Sequence, residues 1–187
     1  PEPAFQSSPE SLIRVERARL LASAGLDDWA EFELRFGARR KQDAPAIALE
    51  LASLARERGA HDVAIRWLKR YVPNYLRLPL ASAPDEFWKM AFPLAYRSEL
   101  ESFSRQNSLD PYLVAALIRQ ESEFNPRAIS VAKAYGLTQV LPSTGRELSR
   151  IVGVRPFRAD MLFVPAVNLK LGTYYLKRLV GELGGHW

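Results

Sequence analysis

The chain has 187 residues, 48% of them apolar, enough for one or two domains with packed cores. Its 26 basic and 21 acidic side chains are interspersed, leaving a net charge of +5 and no block resembling a nucleic-acid tail. With no cysteine and only two widely separated histidines, His61 and His186, the composition excludes a disulfide framework, a thiolate nucleophile and a histidine-built metal site.

Almost every periodic segment has helical spacing and none alternates like a strand, so the fold class is all-α. The first helix is expected over residues 11–24, stopped by Gly25. Asp27 or Asp28 can cap the second, which carries Trp29, Phe32, Leu34 and Phe36 before Gly37. A third covers 45–58, with Pro45 at its start and Gly59 as its stop. His61 or Asp62 opens a fourth that ends near Tyr71. Four short helices without long loops suggest stacked pairs, as in an α-solenoid. Trp29 and Trp67 are then expected to pack between helices, and His61 to be a capping or boundary residue. The basic cluster "GARRKQ" at 37–42 is expected to be a solvated helix end rather than a nucleic-acid site.

The segment "PNYLRLPLASAPDE", 73–86, is rich in proline and small residues and marks a boundary. The expected organisation is a helical-repeat segment over 1–77, a linker and docking segment over 78–92, and a second domain over 93–187. Phe87, Trp88, Met90 and Phe92 form the docking cluster. A helix is expected from Pro93 to Gln106. No stretch is long and apolar enough to cross a membrane. The opening "PEPAFQSSPE" has neither an initiator methionine nor a signal-peptide pattern and reads as an excised or processed start.

Asp110–Pro111 is a strong helix start, and Leu113, Val114, Leu117 and Ile118 follow on one side. Glu121 continues that stripe at helical spacing, whereas Glu123 points nearly opposite. Glu121 is thus either the point where a buried face reaches the surface or a carboxyl in a cleft. In the second case apolar neighbours would raise its pKa and make it a general acid. Asn125–Pro126 favours a turn after the helix, around which Ser122 and Ser130 can hydrogen-bond. "AYGLTQVLPSTG" supplies a glycine turn, Gln139 and a helix restart near Pro142 or Ser143.

These strings resemble the signature of the soluble lytic transglycosylases, lysozyme-like bacterial enzymes that cut peptidoglycan. The first element reads Glu121, Ser122, Phe124, Asn125, Pro126, Ala128 and Ser130. The second reads Ala134, Gly136, Leu137, Gln139, Pro142 and Thr144, and the third Pro165, Asn168, Gly172, Tyr175 and Leu176. The front half is similar to the end of the superhelical domain of the large periplasmic members. The resemblance implies an α-superhelical repeat segment followed by a partial lysozyme-like catalytic domain, no cofactor, peptidoglycan glycan strands as the partner, and the periplasm or cell envelope as the location.

By motif position Glu121 is the residue implied to act first as acid and then as base. It would cut the β-1,4 bond between N-acetylmuramic acid and N-acetylglucosamine and leave a 1,6-anhydromuramic end. Ser122, Gly136, Leu137 and Gln139 are implied to bind substrate, with a local helix bond as the other reading of Ser122. Ser130, Asn168 and Tyr175 are implied to be structural near the cleft. Two alternatives are a diverged, non-catalytic peptidoglycan-binding chain and a lysozyme-type hydrolase, which needs a second carboxylate. Neither Asp110 nor Asp160 sits in a motif that recommends it, Glu123 is expected to face away, and Glu147 is expected to be a surface residue on a later helix.

The chain departs from the family at Lys133, in a position that is glycine in many relatives, where the loop is expected to differ in shape. Thr138 replaces a methionine and Gly145 an alanine. The family pattern continues into an A-Y-N-A-G element whose tyrosine lies near the catalytic carboxyl. This chain stops at His186–Trp187, where that element is expected to begin. The missing C-terminal segment is therefore an expected partner.

Overall fold

The computed structural model describes residues 5–184, which fall in two compact units, Pro1–Pro93 and Leu94–Trp187. His186 and Trp187 lie outside the described residues. Among the described residues the secondary structure is helical, with two isolated β-bridges and no sheet. None of the helices is long and apolar enough to cross a membrane.

The first unit contains α1 (Pro9–Ser23), α2 (Asp27–Gly37), α3 (Ala44–Glu57), α4 (His61–Tyr71) and α5 (Asp85–Ala91). Two 3-10 turns, Tyr75–Arg77 and Leu80–Ser82, fill the proline-rich stretch before α5. Gly25 and Gly59 end their helices at φ of 74° and 72°, a left-handed conformation that costs glycine little. Helix α1 packs mainly on α2, and α3 on α4, giving the expected helical pairs. Ala48, Ala52, Ala55 and Ala64 are buried, and their small side chains allow α3 and α4 to approach closely. Phe87 and Met90 pack into this same core with Val72 and Tyr75. Phe87 and Met90 of the expected docking cluster are thus part of the first unit's core.

Trp29 corrects the sequence expectation. It is 62% exposed, because α2 buries Ala30, Leu34 and Gly37, a stripe of mostly small residues. Phe32 and Phe36 are exposed on the same helix. Trp67 is half-buried against a second cluster that includes Val15, Ala18, Leu34 and Leu51, and it stacks on Tyr71.

Asp43 is buried at the head of α3 and ties down the start of α1. Its carboxylate accepts from the Ser8 hydroxyl at 2.9 Å, the Ser11 hydroxyl at 2.8 Å and the Ser8 amide at 3.2 Å. Burial pushes this carboxyl up, but the bonds from Ser11 and Ser8 and the charge of Arg40 outweigh it and hold the pKa below the usual value. Asp43→Ala is expected to cost the first unit about 2–3 kcal/mol at neutral pH. A depressed folded pKa gives stability that is present above the unfolded value, about 4, and is lost as pH falls through the folded value. Thermal melts should therefore show an acid-side loss in the parent chain that is smaller in Asp43→Asn.

The second unit contains α6 (Arg97–Gln106), α7 (Pro111–Ser122), α8 (Pro142–Ile151) and α9 (Pro165–Glu182), with a 3-10 segment at Ala159–Phe163. Helix α6 begins four residues later than expected, because Tyr96 sits at a φ of 54° and breaks the helical path. Helix α9 lies against α6, α8 and the 3-10 segment. Asn107 donates to Thr173 at 3.0 Å and so joins the end of α6 to α9. Val140, Leu148, Leu162 and Leu171 form a core flanked by Tyr135, Phe157 and Tyr175. Gly145 is needed there, since an added Cβ would come within 2.8 Å of the Phe157 ring.

Candidate functional site

Helix α7 starts as expected: Asp110 accepts from the Tyr112 amide at 2.8 Å, with Pro111 in the first turn. Its buried residues are Val114, Ala115 and Ile118, while Leu113 is exposed and Leu117 half-buried. Glu121 lies in the last turn and is exposed. Of the two readings of Glu121, the exposure agrees with the point where a buried face reaches the surface. The core face of α7 ends at Ile118, and periodicity carried one turn further does not carry burial with it. Among the described residues Glu121 has neither an ion pair nor a hydrogen-bond partner.

What the sequence places around Glu121 is a rigid turn system. Glu123 and Phe124 end the helix in left-handed conformations, φ 51° and 64°, and Phe124 is buried. The Ser122 hydroxyl lies 2.8 Å from the Leu137 carbonyl and 3.1 Å from the Ile118 carbonyl. A hydroxyl has one proton to give, so the shorter approach ties the Glu121 turn to the glycine turn. Asn125 accepts from the Arg127 amide at 2.8 Å, and Ser130 accepts from the Ala134 amide at 3.0 Å.

Lys133 occupies the glycine position with a φ of 61°. The lysine adopts a left-handed turn conformation, at a cost of about 1–2 kcal/mol. Bridges from Tyr135 to Ile129 and Val140 then close the loop.

Asn168 holds the turn from below. It is fully buried on α9, and each of its amide atoms is doubly used. Its oxygen accepts from the Thr138 amide at 2.9 Å and the Thr138 hydroxyl at 2.7 Å. Its nitrogen donates to the carbonyls of Tyr135 at 2.9 Å and Leu162 at 2.8 Å. Gly136, at φ 75°, has no room for a side chain: a Cβ would overlap the Leu162 carbonyl and the Asn168 amide. A Cβ on Gly172 would overlap Thr138, so Thr138 is seated directly on α9.

Of the other implied binding residues, Gly136 and Leu137 are buried. Leu137 is a core side chain, and its carbonyl is already used by Ser122. Gln139 is half-buried, and its amide nitrogen donates to the carbonyls of Gly136 at 2.8 Å and Ala128 at 3.3 Å. Tyr175 flanks the core and lies under the Arg178 guanidinium at 5.4 Å. The role of Thr138 could not be read from its own position. The signal lay in the pairing of Gly136 with Asn168 across two motifs.

Asp110, Glu147 and Asp160 are committed elsewhere. Asp110 caps the opposite end of α7, about 16 Å away at 1.5 Å per residue. Glu147 pairs with Arg178 at 2.6 Å. Arg158 hydrogen-bonds Asp160 and holds its carboxylate below the usual range. Glycoside hydrolysis with two carboxyls needs them about 5–10 Å apart across the sugar, which excludes Asp110. Among the described residues, no three His, Cys, Asp or Glu side chains gather as a metal site.

Residues 100–187 match the family model described as the transglycosylase SLT domain. The soluble lytic murein transglycosylase of Salmonella typhimurium is 28% identical over 144 residues, 73% of this chain and 22% of that protein. The membrane-bound lytic murein transglycosylase C of Actinobacillus succinogenes is 44% identical over 82 residues, 42% of this chain and 23% of that protein. Among solved structures, an inactive mutant of the lytic transglycosylase Slt from Pseudomonas aeruginosa superposes with a TM-score of 0.69 at 28% identity. It covers 98% of this chain and 28% of the Pseudomonas chain. This chain therefore spans about a quarter of the length of these relatives.

Proposed function

From the premise that residues 100–187 belong to the transglycosylase SLT domain family, we propose that this chain cuts peptidoglycan glycan strands without consuming water. The observation that carries the proposal is Glu121. It is an exposed, unpartnered carboxyl at the family's motif position, beside a turn fixed by Ser122 and Asn168, while Asp110, Glu147 and Asp160 are committed to other contacts.

The steps balance with one carboxyl. Protonated Glu121 gives its proton to the bridging oxygen as the bond from that oxygen to C1 of N-acetylmuramic acid breaks. The sugar's own N-acetyl carbonyl stabilises the developing cation. The C6 oxygen of the same residue then bonds to C1, and its proton passes to Glu121. The products are a 1,6-anhydromuramic end and a free 4-hydroxyl on N-acetylglucosamine, and the carboxyl is restored. Because the nucleophile belongs to the substrate, its approach is intramolecular and no second carboxylate has to activate water. Bound glycan would itself displace water from the exposed carboxyl.

Such a substrate places the protein in the periplasm or cell envelope. Mass spectrometry of the products formed from purified peptidoglycan tests the reaction. Products one water lighter than hydrolysis products are expected, and fully hydrated products would instead establish a hydrolase.

A further inference from the structure

The first unit carries a groove of about 320 Å³ lined by Phe32, Arg35, Phe36, Arg39, Arg70 and Tyr71. Arg70 is also a wall of a neighbouring groove of about 580 Å³ that contains Trp67. Most arginines of this unit are neutralised: Arg14 and Arg17 by Glu33, Arg19 by Glu50, and Arg66 by Asp62. Arg39 and Arg70 differ. Among the described residues neither has an acid or a hydrogen-bond acceptor, and each guanidinium lies over rings instead. Arg39 is 4.6 Å from the Phe36 centroid, and Arg70 is 5.9 Å from those of Trp67 and Tyr71.

A ring beneath a guanidinium fixes its plane without using its N–H donors, so both forks remain available. Glu31, on the rim of the neighbouring groove, sits 3.7 Å from Arg35. The apolar walls of Phe32 and Phe36 lower the local dielectric and strengthen attraction for an anion.

The ring faces decide between anions. Phe36 already carries Arg14 and Arg39, each at 4.6 Å, and Trp67 is stacked on Tyr71 at 5.9 Å. Phe32 is the remaining ring, in edge contact with Trp29, and the two N–H forks beside these phenyl walls match the bidentate geometry of carboxylates. A second copy is a poor occupant, since this chain has a net charge of +5.

We propose that this groove is an anion site for the carboxylates of the peptide stems carried by the glycan strand, so that the first unit grips the polymer that the second unit cuts. This rests on the functional reading above.

Binding is measured in a Glu121→Gln background, where strands are not consumed, by fluorescence anisotropy of end-labelled, stem-bearing strands. The variant with Arg39→Gln and Arg70→Gln together should bind at least about tenfold more weakly. That difference should shrink in high salt, and the corresponding lysine pair should retain part of the binding. A neutral chitin oligomer of equal length should not distinguish parent from variant.

Equal binding of stem-bearing strands by parent and double-glutamine variant would overturn the proposal. So would an equal loss with the neutral oligomer, full competition by single-stranded DNA, or a change of particle mass in the variant by light scattering. Because binding is read without cleavage, an arginine-dependent grip in a chain whose Glu121 form cuts nothing would keep this site while removing the catalytic reading.

Discussion

Glu121→Gln is expected to lower the release of 1,6-anhydromuramic ends by at least about 10²-fold, since a positioned general acid–base group contributes roughly 10²–10⁴-fold. Its structural setting makes the test clean. Glu121 is exposed and makes no hydrogen bond or ion pair among the described residues. Glutamine has nearly the same shape, so the melting temperature should shift by no more than about 2 °C. Loss of product with an unchanged melt assigns chemistry to Glu121. Cleavage retained in the folded variant would remove it from that role and direct attention to Glu123, which is half-buried two residues on. Peptidoglycan digests analysed by mass spectrometry, with melts of the same preparations, are the required measurements.

Asn168→Leu is expected to give the largest stability loss in the second unit, about 3–4 kcal/mol, or at least about 12 °C in melting temperature for a unit of this size. The substitution strands the carbonyls of Tyr135 and Leu162 and both Thr138 donors in a buried place. Hydrogen exchange at residues 135–139 should rise in the variant more than exchange in α6. Asn168→Asp sharpens the test. It keeps two acceptors but faces two carbonyls with an acid, so its folded pKa should be raised. Stability gained by the protonated form is then lost as pH rises, and the deficit should shrink under acidic conditions. A uniform, pH-independent loss would argue against the clamp.

The elements of the fold were legible because their signals are local. Gly25 and Gly59 stop helices wherever the rest of the chain goes, and Asp110 with Pro111 starts one. Where a local signal was contradicted, as at Tyr96, the helix start moved by four residues. The candidate site was legible as an ordered set of residue types, from Glu121 through Gly136 to Asn168. The functions of individual members were not. Leu137, which the resemblance implies is a substrate-binding position, has a core side chain. Gln139 uses its amide nitrogen to hold its own turn.

The sequence by itself determined the all-α class, the helix ends and the order of the motifs, because turn conformation and helical period depend on neighbouring residues. Tertiary structure decided which faces are covered. Periodicity defines a stripe but says nothing of what packs on it. Trp29 therefore proved exposed, Glu121 lies past the buried stretch of α7, and Asn168 makes four hydrogen bonds to three residues up to 33 positions away. Burial and hydrogen-bond partnership arise from contacts between distant segments, and those contacts separate a carboxyl available for chemistry from an amide committed to the fold.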